Sequence, residues 1–257
     1  MTADAWKPEQ YRKFQGERAQ PFYDLMALVQ PEAGMRVVDL GCGPGELTRV
    51  LHETLRAGET VGVDNSAAML ARTAEHAGGG LRFEEGDIAT FGSSEPYDLV
   101  FSNAALQWVA DPAKVLERLT AAVNVGGQIA VQVPANKDYP SHTVAAEVAM
   151  GAAFRGAIGG EARPLNVLEP EEYSKVFYRL GYRDQHVRTQ VYVHVLESRE
   201  GVIEWVKGTL LTWYESRMGA QLFGRFMEEY RERLWEALPD ERPFFYPFKR
   251  TLFWGRR

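Results

Sequence analysis

The stretch "VVDLGCGPGELT", residues 37–48, sets an apolar run, an aspartate and three glycines ahead of a run of helix formers. It reads as a strand that breaks at glycines and feeds a helix, the way a parallel sheet receives nucleotide-like ligands beyond the carboxyl ends of its strands. The dinucleotide fingerprint G-x-G-x-x-G lets a pyrophosphate approach the helix N-terminus. Here the glycines are Gly41, Gly43 and Gly45, and Glu46 stands where the third fingerprint glycine belongs. A carboxylate there is poorly placed beside a pyrophosphate. The loop is G-x-G-x-G preceded by Asp39, which counts against an NAD-linked reductase.

Strand-like and helix-like segments alternate outward from this loop. "MRVVDL" is a short apolar strand, and "GELTRVLHETL" sets Leu47, Val50, Leu51 and Leu55 on one helical face. "TVGVD" is a second strand, and "SAAMLARTAEH" a helix with Ser66 as its N-cap. "LRFEEGD" and "YDLVFSN" are further strands. "PAKVLERLTAAV" is a helix opened by Pro112, and "GGQIAVQVP" a fifth strand. Short connections between alternating elements predict an α/β fold: a Rossmann-like, doubly wound, mostly parallel seven-stranded sheet. After Pro134 the rhythm breaks. A helix ended by Gly181, a strand "HVRTQVYVHV", an aromatic-rich helical stretch over 198–238 and a last strand "FKRTLFWGRR" follow.

The expected organisation is an N-terminal cap segment over 1–30 and a ligand-binding core over 31–134. A cap insertion then spans 135–168, the core continues over 169–197, a helical cap insertion spans 198–243, and the final core strand is 244–257. The chain has 257 residues, 45% of them apolar and 25% charged, with net charge −6. That is ordinary globular composition. No general basic field attracts nucleic acid or an anionic membrane surface. Cys42 is the only cysteine, so neither a disulfide framework nor a cysteine metal site is expected, and no metal is expected at all. Without a basic and apolar leader or a spanning apolar run, the expected location is the cytoplasm. A monomer is expected.

A ligand carrying an amino acid and a nucleoside, but no phosphate, suits the loop. Glycine backbone passes closely under such a molecule. Asp39 can hold an ammonium group, directly or through water. Asp64 ends the second strand, where a carboxylate accepts both ribose hydroxyls, with Asn65 beside it. Asp87 can accept from an adenine amine while Ile88 covers the ring, and Asn103 ends the fourth strand facing the same cleft. A single strand-end aspartate is as often a helix cap; four successive strands each delivering a polar group to one edge are not.

The set "VVDLGCGPG", "VGVDNS", "EGDI" and "YDLVFSNAALQWV" resembles the class I S-adenosylmethionine-dependent methyltransferases. The resemblance implies S-adenosylmethionine as cofactor, with S-adenosylhomocysteine as product. Across nearly the whole chain the sequence is similar to the trans-aconitate methyltransferases, in "WKPEQYRKFQGERAQP" (6–21), "NAALQWVAD", "RPL", "YVHVL", "VIEWVKGT" and "PFKRTLFWGRR". Carboxyl methyltransferases of insect juvenile hormone acids share the layout. The family forms a methyl ester on a carboxylate of a small acid. A carboxylate is ionised at neutral pH, its reference pKa being about 4, so no general base is required.

On this resemblance Tyr11 closes over the methionine end of the cofactor. Arg18 anchors an unreactive carboxylate of the acceptor. Trp108 walls the pocket near the methyl, Trp205 faces it from the cap, and His142 and His194 can touch the acceptor, neither with a catalytic role. Each has a plain alternative, such as core packing for the aromatic rings, or pairing with Glu17 or Asp24 for Arg18. One departure is visible. Where the trans-aconitate enzymes commonly read "GTGLRP", this chain reads "GTLLTWY", with Thr212 in the arginine's place. Either the acceptor is less charged, or Lys207, Arg163 or Arg250 supplies the cation. The alternatives to a carboxyl acceptor are a neutral hydroxyl or amine, and a protein that binds the cofactor without catalysis.

Overall fold

The computed structural model describes residues 15–257 apart from 162 and 165, with no side chains described for 15–18. Five parallel strands carry the chain through its first half: β1 (Arg36–Leu40), β2 (Glu59–Asp64), β3 (Leu81–Glu85), β4 (Tyr97–Asn103) and β5 (Val123–Pro134). β6 (Asp184–Leu196) and β7 (Phe244–Arg256) complete a seven-stranded sheet in the order β3-β2-β1-β4-β5-β7-β6. β7 lies antiparallel between β5 and β6. The expected seven-stranded, mostly parallel sheet is present.

Alternation along each strand builds two cores. Val37, Phe101, Ala130 and Leu252 face one side, against Phe22 and Leu25 of helix α1 (Gln15–Met26) and Leu51 and Leu55 of α2 (Glu46–Leu55). Val38, Val100, Val131 and Phe253 face the other. There they meet Leu116 and Leu119 of α4 (Pro112–Ala121) and Tyr173 and Phe177 of α6 (Pro170–Arg179). Strands buried on both faces read as nearly unbroken apolar runs, as β1 and β4 do.

Between β2 and β3 the structure differs from expectation. Ser66 is the N-cap, its hydroxyl accepting from the Met69 amide at 3.3 Å, but α3 spans only Ala67–Leu70. A single 3-10 turn, Thr73–Glu75, follows. The Thr73 hydroxyl donates to the Leu70 carbonyl at 2.9 Å, a local bond that competes with the helix ladder.

β6 and β7 pair over their whole length, whereas β5 reaches only Arg250–Arg256 of β7. The remainder is a two-stranded ribbon running past the sheet. The cap sits on it: Phe244, Tyr246 and Phe248 belong to the same buried cluster as α5 (Pro140–Ala149), α7 (Glu200–Lys207) and α8 (Leu210–Ala237). Gly219, at φ 68°, breaks α8 into two helical pieces. Tyr230 ties α8 to α5 by donating to the Ser141 carbonyl at 3.0 Å. No described helix is long and apolar enough to cross a membrane.

Candidate active site

The first cavity, about 1290 Å³, opens over the carboxyl ends of β1, β2 and β4. The Gly41 and Cys42 amides both donate to the Val63 carbonyl, at 2.7 and 3.0 Å, which pins the loop to β2. Gly41 has φ 81°, and a Cβ there would lie 2.3 Å from that of Ala105. Only glycine fits. Gly45 has φ 87°, and its face meets the Phe83 ring, 2.7 Å from where a Cβ would stand. Gly45 does not line the cavity. The glycine is required there by the turn and by Phe83.

Asp64 organises the rim. Its Oδ2 accepts from the Gly43 amide and its Oδ1 from the Ser66 amide, both at 2.9 Å. A carboxylate has about four acceptor positions, so both oxygens keep capacity toward the cavity. Asp39 lies deeper and is buried, with the Thr48 hydroxyl donating to its Oδ2 at 2.6 Å. Burial pushes the Asp39 carboxyl up to about 7, against the Thr48 bond and with help from the nearby Asp64. Burial also raises Asp64, against the amides of Ser66, Gly43 and Asn65. Two desolvated carboxylates at one edge favour a cationic ligand.

Asp87 is exposed, with Oδ1 accepting from the Ala89 amide at 2.8 Å, and it lines the same cavity as Asn65, Ile88 and Asn103. Buried Asn103 Oδ1 has no hydrogen-bond partner among the described residues. Such a group fits a polar ligand, since leaving it unmet costs about 1–3 kcal/mol. The next residue, Ala104, has φ 57°, unusual for a residue with a side chain. The Gln107 amide steadies it by donating to the Ala104 carbonyl at 2.7 Å. This strained corner turns the chain from β4 to Trp108.

Asn103, Ala104 and Trp108 also line a second cavity of about 490 Å³, bordered by the cap and the ribbon. His142, Arg163, Trp205 and Arg250 line it as well. Trp205 is buried and lies against His194, ring centroids 4.4 Å apart. Burial, helped by Arg163, pushes His142 down to about 4 although Asp138 opposes it; the imidazole is neutral at pH 7. Arg250 is buried over the Phe248 ring, its guanidinium carbon 4.9 Å from the centroid. Lys207 is exposed beside Glu204 at 3.5 Å and does not line the cavity. Neither does Thr212, whose hydroxyl donates to the Thr209 carbonyl. Tyr11 and the Arg18 side chain lie outside the described residues. No group of three or more potential metal ligands occurs among the described residues.

Sequence reading missed Thr48 and Gln107. Thr48 lies nine residues after Asp39, on the first turn of α2, and an aspartate near the end of a strand before a helix with an early threonine is the signal that finds it.

A methyltransferase domain matches residues 31–181. Over 258 residues the chain is 41% identical to a trans-aconitate 2-methyltransferase of Deinococcus radiodurans, with 98% of each chain covered. This chain belongs to the trans-aconitate 2-methyltransferase family. It is 38% identical to the Streptomyces avermitilis member, over 96% of this chain and 95% of that one. The protein is therefore an S-adenosylmethionine-dependent methyltransferase. Solved structures agree in fold. The YcgJ protein of Bacillus subtilis superposes with a TM-score of 0.61 at 13% identity, covering 93% of this chain and 98% of that one. An S-adenosylmethionine-dependent methyltransferase of Mesorhizobium loti gives 0.53 at 20% identity, covering 95% and 100%. In this methyltransferase the strand-end carboxylates and the cap cavity meet at one wall, Asn103 and Trp108.

Proposed function

We propose that the enzyme converts a carboxylate of a small organic acid of the trans-aconitate type into its methyl ester. The observation that carries this reading is the cation-lined second cavity, which meets the acid-lined cleft at Asn103 and Trp108. The names of the Deinococcus and Streptomyces relatives support the acceptor class. When bound, S-adenosylmethionine supplies a methyl group on a positively charged sulfur, and transfer leaves S-adenosylhomocysteine.

In this reading Asp64 holds the ribose hydroxyls, with Asn65 beside it. Asp39 holds the ammonium end, directly or through water, and the backbone of the 41–43 loop lines the approach. Asp87 and Ile88 take the adenine, and Asn103 faces the reacting end. The attacking carboxylate oxygen gains the methyl and the C–S bond breaks; no proton moves. Residues that position the acid and exclude water therefore do most of the work, and orientation alone supplies on the order of 7–11 kcal/mol. Trp108, Trp205 and the neutral His142 form the uncharged walls of that cavity. Arg18 and Tyr11 remain proposed contributors from the N-terminal segment.

His142 speaks against a neutral hydroxyl or amine as acceptor. An imidazole held near 4 is a weak base for deprotonating such a group. The lone, buried Cys42 supports a reducing compartment, the cytoplasm. A monomer completes the reading, tested by a solution mass near 28.9 kDa.

The test is a labelled methyl-transfer screen over tricarboxylic, dicarboxylic and hydrophobic monocarboxylic acids. The expected product releases its methyl group in mild alkali, as an ester does. An alkali-stable product, or donor binding without transfer to any acid, would overturn the reading.

A further inference from the structure

Four lysine and arginine side chains line the second cavity, and they are not equivalent. Lys137 is ion-paired with Glu169, and Lys249 with Asp138, which it holds below the usual carboxylate range. Both charges are met within the protein. Arg250 is buried, packed over Phe248, and donates to the Gln132 side-chain oxygen at 3.4 Å. It is built into the sheet.

Arg163 differs from all three. It sits half-buried on the cavity wall, its guanidinium carbon 6.0 Å from the centroid of the Trp108 ring. No carboxylate among the described residues forms an ion pair with it. The charged group that acts on it is Arg217, of like sign, and burial and Arg217 both disfavour its charged form while Tyr214 favours it. Neighbouring His142 is neutral. A partly desolvated guanidinium beside a second arginine is stabilised by an anion. Thr212 adds no charge to this cavity.

We propose that Arg163 reads the acceptor: it holds a carboxylate that is not methylated, and so selects acids with a second carboxylate over monoacids. The proposal rests on the carboxyl-methylation reading above. A guanidinium forms two parallel hydrogen bonds to a carboxylate. On the attacking oxygens those bonds would occupy the lone pairs that must reach the methyl; on a second carboxylate they fix the pose. Trp108 fits this division. Its ring borders the donor cleft as well as the cavity, so the indole stands between the anchored end of the acid and the donor.

The test is steady-state methylation of a dicarboxylic acid and of the matching monoacid by wild type, Arg163→Gln and Arg163→Lys. Losing a charge-assisted pair should raise the KM of Arg163→Gln for the diacid about 10- to 100-fold. The monoacid kcat/KM and the donor KM should stay within about twofold of wild type. Arg163→Lys, which keeps the charge but loses the fork, should fall between. An equal loss on diacid and monoacid, or a donor KM that moves as far as the acceptor KM, would overturn the assignment. Thermal melting shows whether either variant is destabilised; if Gln is, the Lys variant decides by the same diacid-to-monoacid ratio. Wild type that esterifies neither acid overturns carboxyl methylation itself. Wild type that esterifies both, with Arg163→Gln unchanged, overturns only the role of Arg163.

Discussion

The two cavities are neighbours with opposite charge. The cleft over β1, β2 and β4 is lined by Asp39, Glu46, Asp64, Glu75 and Asp87, against Arg72 and His76. The cap cavity is lined by Lys137, Arg163, Lys249 and Arg250, against Asp138, Glu169 and Glu171. Two of those three carboxylates are consumed by the lysines. The sign changes at Asn103 and Trp108, where β4 turns out of the sheet. A donor with a cationic sulfur and ammonium suits the first half, and an ionised acid suits the second. On the proposed reading, each ligand brings the charge opposite to that of its own cavity, and the two meet at the shared wall of Asn103 and Trp108.

The largest expected break in this contrast is Asp64→Ala. Loss of its charge-assisted bonds should weaken S-adenosylmethionine binding by about 1–3 kcal/mol, roughly 5- to 150-fold in Kd by calorimetry. The acceptor KM at saturating donor should not change. Unaltered donor affinity would remove Asp64 from the site. Trp108→Ala should act on both halves at once, raising both Michaelis constants and lowering kcat about tenfold through lost order and admitted water. An effect confined to one substrate would assign the indole to that cavity alone.

A pH profile separates the halves further. With saturating donor, kcat on an acid acceptor should be nearly flat from about pH 6 to 9, because the carboxylate is already ionised. Asp39 titrates near 7 in the free protein, and a cationic ligand favours its ionised form. Donor kcat/KM should therefore fall on the acid side while saturated kcat does not. If saturated kcat falls as well, a general base is at work.

The smallest effect expected is on stability. Asp39 binds its proton more tightly in the folded protein than the ordinary value of 3.8. The stability linked to that proton is complete below the unfolded value and is lost as pH rises through about 7. Asp39→Asn cannot ionise and keeps an oxygen for Thr48. Without ligand it should melt a few degrees higher than wild type at about pH 8, with the gap closing toward about pH 4. The same variant should bind the donor more weakly. A gap that does not depend on pH would mean Asp39 is ionised in the free protein.

The acid-lined cleft was largely legible in the sequence because its determinants are local. Short apolar runs, the glycines between β1 and α2, and polar residues at or just after four successive strand ends are each readable within ten residues. The Thr48 bond to Asp39 was not read, nor was the collapse of the helix after Ser66 to one turn, where Thr73 bonds back to Leu70. The acceptor half is different in kind. Its wall gathers residues from the β4 corner, α5, the loop before α6, α7 and the ribbon. Four cationic side chains look alike in a sequence. That Lys137 and Lys249 are neutralised, Arg250 is built into the sheet and Lys207 points elsewhere depends on contacts between residues tens of positions apart. Arg18, the leading anchor from the sequence, lies where no side chain is described.

The central claim, two sites of opposite charge sharing one wall, is tested most directly by crossing the two substitutions. Donor and acceptor Michaelis constants are measured for Asp64→Ala, Arg163→Gln and the double variant with one dicarboxylic acid. The account predicts that Asp64→Ala moves the donor constant, Arg163→Gln moves the acceptor constant, and the double variant shows both changes at full size. Either single substitution moving both constants to the same extent would contradict it.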